Sequence, residues 1–297
     1  MSSAHAPGAP ANPGPAAFLP DPGALAARLQ ATLPGFQQVG WLSETGSTNA
    51  DLLERARQDH GQLMRPWLLG THLQTQGRGR AGRTWHNQIG DSLMFSCAFD
   101  VFLPARQLPA LAPLLGMASC EALRSLLQPG QCPRLAMKWP NDLLWDQAKL
   151  AGILIESSRT GTSPVSDHHL IIIGMGLNLR GADTLADALN RRVADWSRIT
   201  AADPAAAQVD AGTLVGTCAR AWHQALNRVT AHGLADLPER FAQVDALAGL
   251  PIDVLDDGHL QQTGVACGID SSGHLLLRNA AGLHAISVGE ISARVAS

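Results

Sequence analysis

Apolar and polar positions alternate along this chain in two textures that meet near residue 247. Up to that point, runs of helical period trade places with short apolar runs bounded by turn residues. Leu25 and Leu29 share a face of a helix over 21–33, and 36–42 reads as a strand. Thr48 followed by Asp51 resembles a capping box and starts a helix, so Ser47, Thr48 and Asn49 stand at a strand-to-helix turn. Strands are expected over 67–73 and 92–102. A core helix follows over 108–127, with Leu111, Leu114, Leu115, Ala118, Ala122 and Leu126 at helical spacing. A strand ends at Pro140-Asn141-Asp142 and another begins there. Further strands are expected over 149–156 and 169–175, with a polar loop over 157–167 between them. Residues 181–202 lack a clear period and predict a mobile loop. Helices follow over 213–232 and 237–246. Beyond Pro251 short apolar runs recur between Gly- and Asp-containing turns, which predicts a small β-barrel or sandwich. The expected organisation is a disordered Pro/Ala-rich tail at 1–20, an α+β domain at 21–246 and a small β domain at 247–297.

Composition narrows the function classes. Twenty-two basic against 25 acidic residues give a net charge of −3, which argues against a protein that coats nucleic acid. The five cysteines are scattered and form no Cys-x-x-Cys pair, so neither a disulfide frame nor a zinc site is expected. The richest apolar stretch, 103–127, is interrupted by Pro104, Pro109, Pro113, Glu121 and Arg124. The run 170–179 is too short to span a bilayer. No basic segment followed by an apolar core opens the chain. These features point to a cytoplasmic protein without a membrane partner.

Candidate chemistry centres on Gly77-Arg78-Gly79-Arg80-Ala81-Gly82-Arg83, between two expected strands. Glycine lets backbone approach a ligand closely, and arginine offers a planar fork of donors suited to carboxylate and phosphate oxygens. A loop folding over an anion is one reading; a solvated basic turn, or a loop meeting nucleic acid, is the other. Ser47, Thr48 and Asn49 could cap a helix or bind a small polar ligand. Lys138 and Lys149 stand on neighbouring apolar strands, where an ammonium either reaches solvent or faces an anion. Gly174 and Gly176 flank Met175 at a strand end, which suits close approach of backbone to a ligand.

In order, these stretches resemble the biotin–protein ligases, also called biotin–[acetyl-CoA-carboxylase] ligases. The match is carried by Ser47-Thr48-Asn49, by Gln74 with the Gly/Arg loop and Trp85, and by Lys138-Trp139-Pro140-Asn141-Asp142. It continues through Lys149-Leu150-Ala151-Gly152, Gly174-x-Gly176-x-Asn178 and Gly289-Glu290-Ile291-Ser292. The resemblance implies a mixed, mainly antiparallel sheet with helices, like that of class II aminoacyl-tRNA synthetases, followed by a small C-terminal β-barrel. It implies biotin and ATP with Mg²⁺ as reactants, and the biotin carboxyl carrier protein of acetyl-CoA carboxylase as acceptor. By resemblance, Ser47, Thr48, Asn49, Gln74, Arg78, Gly79, Gly152 and Gly174 would serve biotin. Arg80 and Lys149 would serve both biotin and the chemistry. Arg83, Trp85, Gly176, Asn178 and Trp196 would serve the nucleotide, and Asp142 the metal. Some relatives carry a helix-turn-helix domain before this region. The residues ahead of Ser47 look too few for one, so no DNA partner is expected. A lipoate or octanoate ligase of related fold, and a nucleic-acid-binding module built on the arginine loop, are the alternatives.

Overall fold

The computed structural model describes residues 19–59, 63–159, 167–256, 259–287 and 292–295. Seven strands build the main sheet: β1 (Gln38–Leu42), β2 (Trp67–Thr71), β3 (Ser92–Phe102), β4 (Leu135–Lys138), β5 (Asp142–Trp145), β6 (Ala148–Arg159) and β7 (His168–Asn178). Their order is β1-β2-β3-β7-β6-β5-β4. Only β1 and β2 run parallel; every other neighbour is antiparallel.

Alternation along β3 sorts the sheet's two faces. Leu93, Phe95, Cys97, Phe99 and Val101 point into the main core beneath helices α1 (Pro22–Thr32), α3 (Leu111–Arg124) and α6 (Ala211–His232). There Phe95 stacks on Trp222, with ring centroids 5.3 Å apart, and the Trp222 indole N–H donates to Ser119 Oγ at 2.7 Å. Each such fully buried large side chain contributes about 1.5–3 kcal/mol. On the opposite face Ala98, Leu170 and Ile172 pack with Leu52 of α2 (Thr48–Asp59). Helix α2 covers only that end of the face. Further along the strands lie Ser96, Gly174 and Leu154 in one register row, and Met94, Gly176 and Gly152 in the next. The site lies over this uncovered part.

Several sequence expectations change in detail. Thr48 does not close a capping box: Asp51 Oδ2 accepts instead from Thr45 Oγ1 at 2.6 Å, leaving the Thr48 hydroxyl to the sheet. Residues 157–159 extend β6 rather than starting a loop; the remainder of the expected loop, 160–166, lies outside the described residues. The segment 181–202 is not a loop but two helices, α4 (Ala182–Leu189) and α5 (Trp196–Ala202). A buried carboxylate joins them. Asp195 Oδ2 accepts from Ala182 N and Oδ1 from Arg198 N, so one side chain caps both helices. The last expected helix is shorter, α7 (Leu237–Ala242), because the backbone of 244–246 exchanges hydrogen bonds with Met137 on β4. The expected tail is ordered by Leu19, which is buried in the core; residues 1–18 lie outside the described residues. Residues 19–46 form one helix and one strand, with no helix-turn-helix.

The C-terminal unit is a five-stranded antiparallel sheet. Its strands are β8 (Pro251–Asp256), β9 (His259–Ile269), β10 (Leu275–Asn279), β11 (Gly282–Ile286) and β12 (Ser292–Val295), in the order β11-β10-β9-β8-β12. Among the described residues β11 and β12 do not pair, so the sheet is open rather than a closed barrel. It docks through the β9–β10 turn: the Trp139 indole N–H donates to Gly273 O at 3.0 Å. Gly273 has φ +78°, and a Cβ there would lie 2.8 Å from Ala110 Cα. Among the described residues no helix is long and apolar enough to cross a membrane.

Candidate active site

A cavity of about 1130 Å³ opens over the glycine rows of the sheet. The start of α2, the segment after β2, the arginine loop, the β4–β5 turn, β6, β7 and the segment after α4 all contribute walls. Of the residues expected at the site, Ser47, Thr48, Asn49, Gln74, Arg78, Gly79, Arg80, Arg83, Trp85, Asp142, Lys149, Gly152, Gly174 and Gly176 line it together.

One end is a network of neutral polar groups. Gln74 Oε1 accepts from Thr48 N at 2.8 Å. The Thr48 and Ser96 hydroxyls are 2.6 Å apart, and Ser96 Oγ donates to Asn49 Oδ1 at 2.6 Å. Thr48, Asn49 and Ser96 are all buried. Absence of a side chain shapes the floor. A Cβ at Gly174 would stand 2.3 Å from Asn49 Oδ1, and one at Gly176 would stand 2.3 Å from the Trp85 ring. The Trp85 indole nitrogen is buried with no hydrogen-bond partner among the described residues.

The other end is cationic. Arg78, Arg80, Arg83, Lys138, Lys149, Arg191 and Arg192 line the cavity, and Asp142 is the one carboxylate among the lining residues. This contrasts with a whole chain of net charge −3. Lys149 Nζ donates to Asp142 Oδ1 at 2.6 Å and lies 5.8 Å from the centre of the Trp85 ring. Arg80 Nη1 donates to Asn141 Oδ1 at 3.2 Å, and Asn141 is itself fixed by donating to Ile153 O at 2.6 Å. Burial lowers the pKa of Arg80 from the ordinary arginine value; Asp142 opposes that shift and Arg83 adds to it. A partly desolvated guanidinium of this kind gains from an incoming anion.

The arginine loop is a tight hairpin. Gly79 N donates to Arg83 O and Trp85 N to Gly77 O. The reversal is made by Ala81 at φ +53° and Gly82 at φ +65°, backbone that favours residues without a bulky side chain.

Two expected residues fall outside the cavity lining. Asn178 is buried behind Lys149, donating to Lys149 O at 3.3 Å and to Ala194 O at 3.1 Å. It braces the lysine's backbone rather than meeting the cavity. Trp196 is fully buried in the main core, so its ring could cover an adenine only by leaving that core. Conversely, Ser96, Arg191 and Arg192 line the cavity without an expected role, and so does Asn141, named only within its motif. Ser96 left a trace as a lone polar residue within an apolar run. The Arg191-Arg192 pair was visible but sat in a segment read as loop.

Residues 45–178 match the biotin/lipoate A/B protein ligase family, and residues 249–294 match the biotin protein ligase C-terminal domain. The bifunctional ligase/repressor BirA of Escherichia coli is 32% identical over 290 residues, covering 96% of this chain and 83% of that one. The biotin–[acetyl-CoA-carboxylase] ligase of Paracoccus denitrificans is 32% identical over 251 residues, covering 84% of this chain and 98% of that one. Among solved structures, the Aquifex aeolicus biotin protein ligase in complex with biotin and ATP has the same fold. Its TM-score is 0.67 at 24% identity, over 88% of this chain and all of that one. With two ordered domain matches and relatives similar over 83% and 98% of their length, this chain belongs to the biotin protein ligase family.

Proposed function

We infer that the ATP-dependent biotinylation that comes with this family runs in this cavity in two steps. The biotin carboxylate attacks the α-phosphorus of ATP, the bond from that phosphorus to the β-phosphate bridging oxygen breaks, and biotinyl-5′-AMP and pyrophosphate form. A lysine amine of a biotin carboxyl carrier domain then attacks the acyl carbon. The acyl–oxygen bond to AMP breaks and the amine loses a proton.

One observation carries this reading: seven cations and one carboxylate surround a cavity whose far end is neutral and polar. A bicyclic urea with a carboxylate tail fits the neutral end by its ring and the cationic end by its charge. In this reading Thr48, Asn49, Gln74 and Ser96 hold the ring. Lys149 and Arg80 hold the carboxylate and the α-phosphate oxygens where negative charge develops in the transition state. Arg83, Arg191 and Arg192 face the triphosphate. Among the described residues no three metal-ligating side chains gather, which suits a cation arriving on the nucleotide rather than a resident one. Mg²⁺ commonly takes one or two carboxylates and completes its shell with phosphate oxygens. Asp142 is the side chain that would hold it, and Mg²⁺ there would offset phosphate charge.

Pyrophosphate exchange into ATP tests the reading, with biotin, lipoate and octanoate supplied separately. Exchange is expected with biotin alone. Exchange driven by lipoate or octanoate would overturn the assignment of the neutral end, and exchange with none would overturn the activity.

A further inference from the structure

We propose that Glu156 is a positioning residue that sets the hydrogen-bond polarity of the ring pocket and tethers the arginine loop over it. The proposal rests on the reaction inferred above. Glu156 lies on β6, two residues beyond Leu154 on the pocket face, and in register with Ile172. Its Oε2 accepts from Asn49 Nδ2 at 2.8 Å, and its Oε1 lies 3.8 Å from Arg78 Nη2. One carboxylate therefore touches both the pocket wall and the loop above it.

The proton count along the pocket makes Glu156 decisive. A carboxylate only accepts, so the Asn49 amide must turn its NH₂ toward Glu156 and its carbonyl toward Ser96. Ser96 then spends its single proton on Asn49 Oδ1. At 2.6 Å from Thr48 Oγ1, Ser96 can only accept, so the Thr48 proton goes to Ser96. Gln74 Oε1 accepts from Thr48 N at 2.8 Å; it also lies 3.1 Å from Thr48 Oγ1, the longer of that hydroxyl's two contacts, so the proton stays on the 2.6 Å contact to Ser96. The result is a one-way chain of donors from Thr48 through Ser96 and Asn49 to Glu156. With that proton spent, the hydroxyl of the cavity-lining Thr48 is left as an acceptor for a ligand N–H. A cyclic urea brings such donors; the aliphatic chain of octanoate and the dithiolane of lipoate do not. Glu156 thus selects the ligand class without touching the ligand.

The second half of the role is the loop. Arg78 is half-exposed, with 51% of its side chain open against 29% for Glu156. An isolated pair of that kind is worth little, up to about fivefold in an equilibrium. That scale suits a latch that must also open.

Three variants separate the two halves. Glu156→Gln keeps an acceptor for Asn49 and loses the charge facing Arg78; Glu156→Met loses both; Glu156→Asp restores the charge with shorter reach. Exchange kinetics give the KM for biotin and for ATP. A chase after pyrophosphatase treatment gives the release rate of the adenylate. For Glu156→Gln, biotin KM is expected within about twofold of wild type and adenylate release about three- to fivefold faster. Wild-type release is expected to quicken with salt, and Glu156→Gln to lose that dependence. For Glu156→Met, biotin KM is expected to rise about tenfold or more, since a hydrogen bond to a charged group is lost, with ATP KM unchanged. Glu156→Asp should recover part of both. A structural role alone would lower both affinities together and would not separate Gln from Met. Unchanged biotin KM in Glu156→Met, or unchanged release in Glu156→Gln, would overturn the proposal. If Glu156→Met fails to fold, the Gln release rate and its salt dependence decide. Absence of biotin-dependent exchange in wild type would instead count against the reaction.

Discussion

At Gly174 and Gly176 the missing side chain is the functional group, because its place is already taken by Asn49 Oδ1 and by the Trp85 ring. The two positions fail differently when filled. Gly174→Ala pushes on a buried amide locked by Ser96 and Glu156; overpacking of this sort costs about 1–3 kcal/mol. Biotin KM in exchange is expected to rise about tenfold or more, with a much smaller change for ATP. Equal effects on both substrates would mean that the floor deforms as a whole instead of through Asn49. The conformation of the loop is also settled residue by residue. Ala81 holds φ +53° without being glycine, so the hairpin's reversal rests on its cross-strand hydrogen bonds and not on permissive residues alone.

Between α7 and the C-terminal sheet, the segment 243–250 is held by a carboxylate in an unfavourable place. Asp245 Oδ1 accepts from Leu247 N at 2.8 Å, while Oδ2 is buried with no hydrogen-bond partner among the described residues. Burial raises its pKa to about 6, against the opposing pull of the Leu247 and Ala248 amides. The folded state therefore binds this proton more tightly than the unfolded chain. The associated stability is full below the ordinary aspartate pKa of 3.8 and is lost as pH rises to about 6. Asp245→Asn keeps the acceptor for Leu247 and removes the titration. Its Tm relative to wild type is expected to be higher at pH 7.5 than at pH 4.5. A pH-independent difference would show that Asp245 does not carry this titration. Legibility of the sequence varied at the same scale. The strands, α3 and α6 followed from period, α2 from a capping-box pattern that the structure does not close, and the arginine loop from composition, because each is a local property. Helices α4 and α5 did not, since the order comes from Asp195 reaching thirteen residues back to cap Ala182. No window along the chain contains that information. Trp196, which the resemblance sets beside the nucleotide, is fully buried in the main core.

The two sheets meet at a motif that also builds the site. In Trp139-Pro140-Asn141-Asp142, the tryptophan holds the β9–β10 turn, while Asn141 and Asp142 hold Arg80 and Lys149. Gly273→Val would force a β-branched residue into positive φ against Ala110 and Pro113, and is expected to cost about 1–3 kcal/mol. Calorimetry should then show the C-terminal sheet melting ahead of the main domain; one transition at the wild-type Tm would refute this docking role. The strand order carries a further consequence, for biosynthesis. Strand β3 pairs along its whole length with β7, yet β4, β5 and β6 lie between them in the chain and β7 separates β3 from all three in the sheet. A chain leaving the ribosome must therefore hold β3 as an open edge until β7 has emerged. Ser96 and Gly174, paired across that seam, cannot form the pocket floor before then. Added biotin is expected to stabilise only nascent chains that extend past β7, while shorter ones carry that strand edge unpaired.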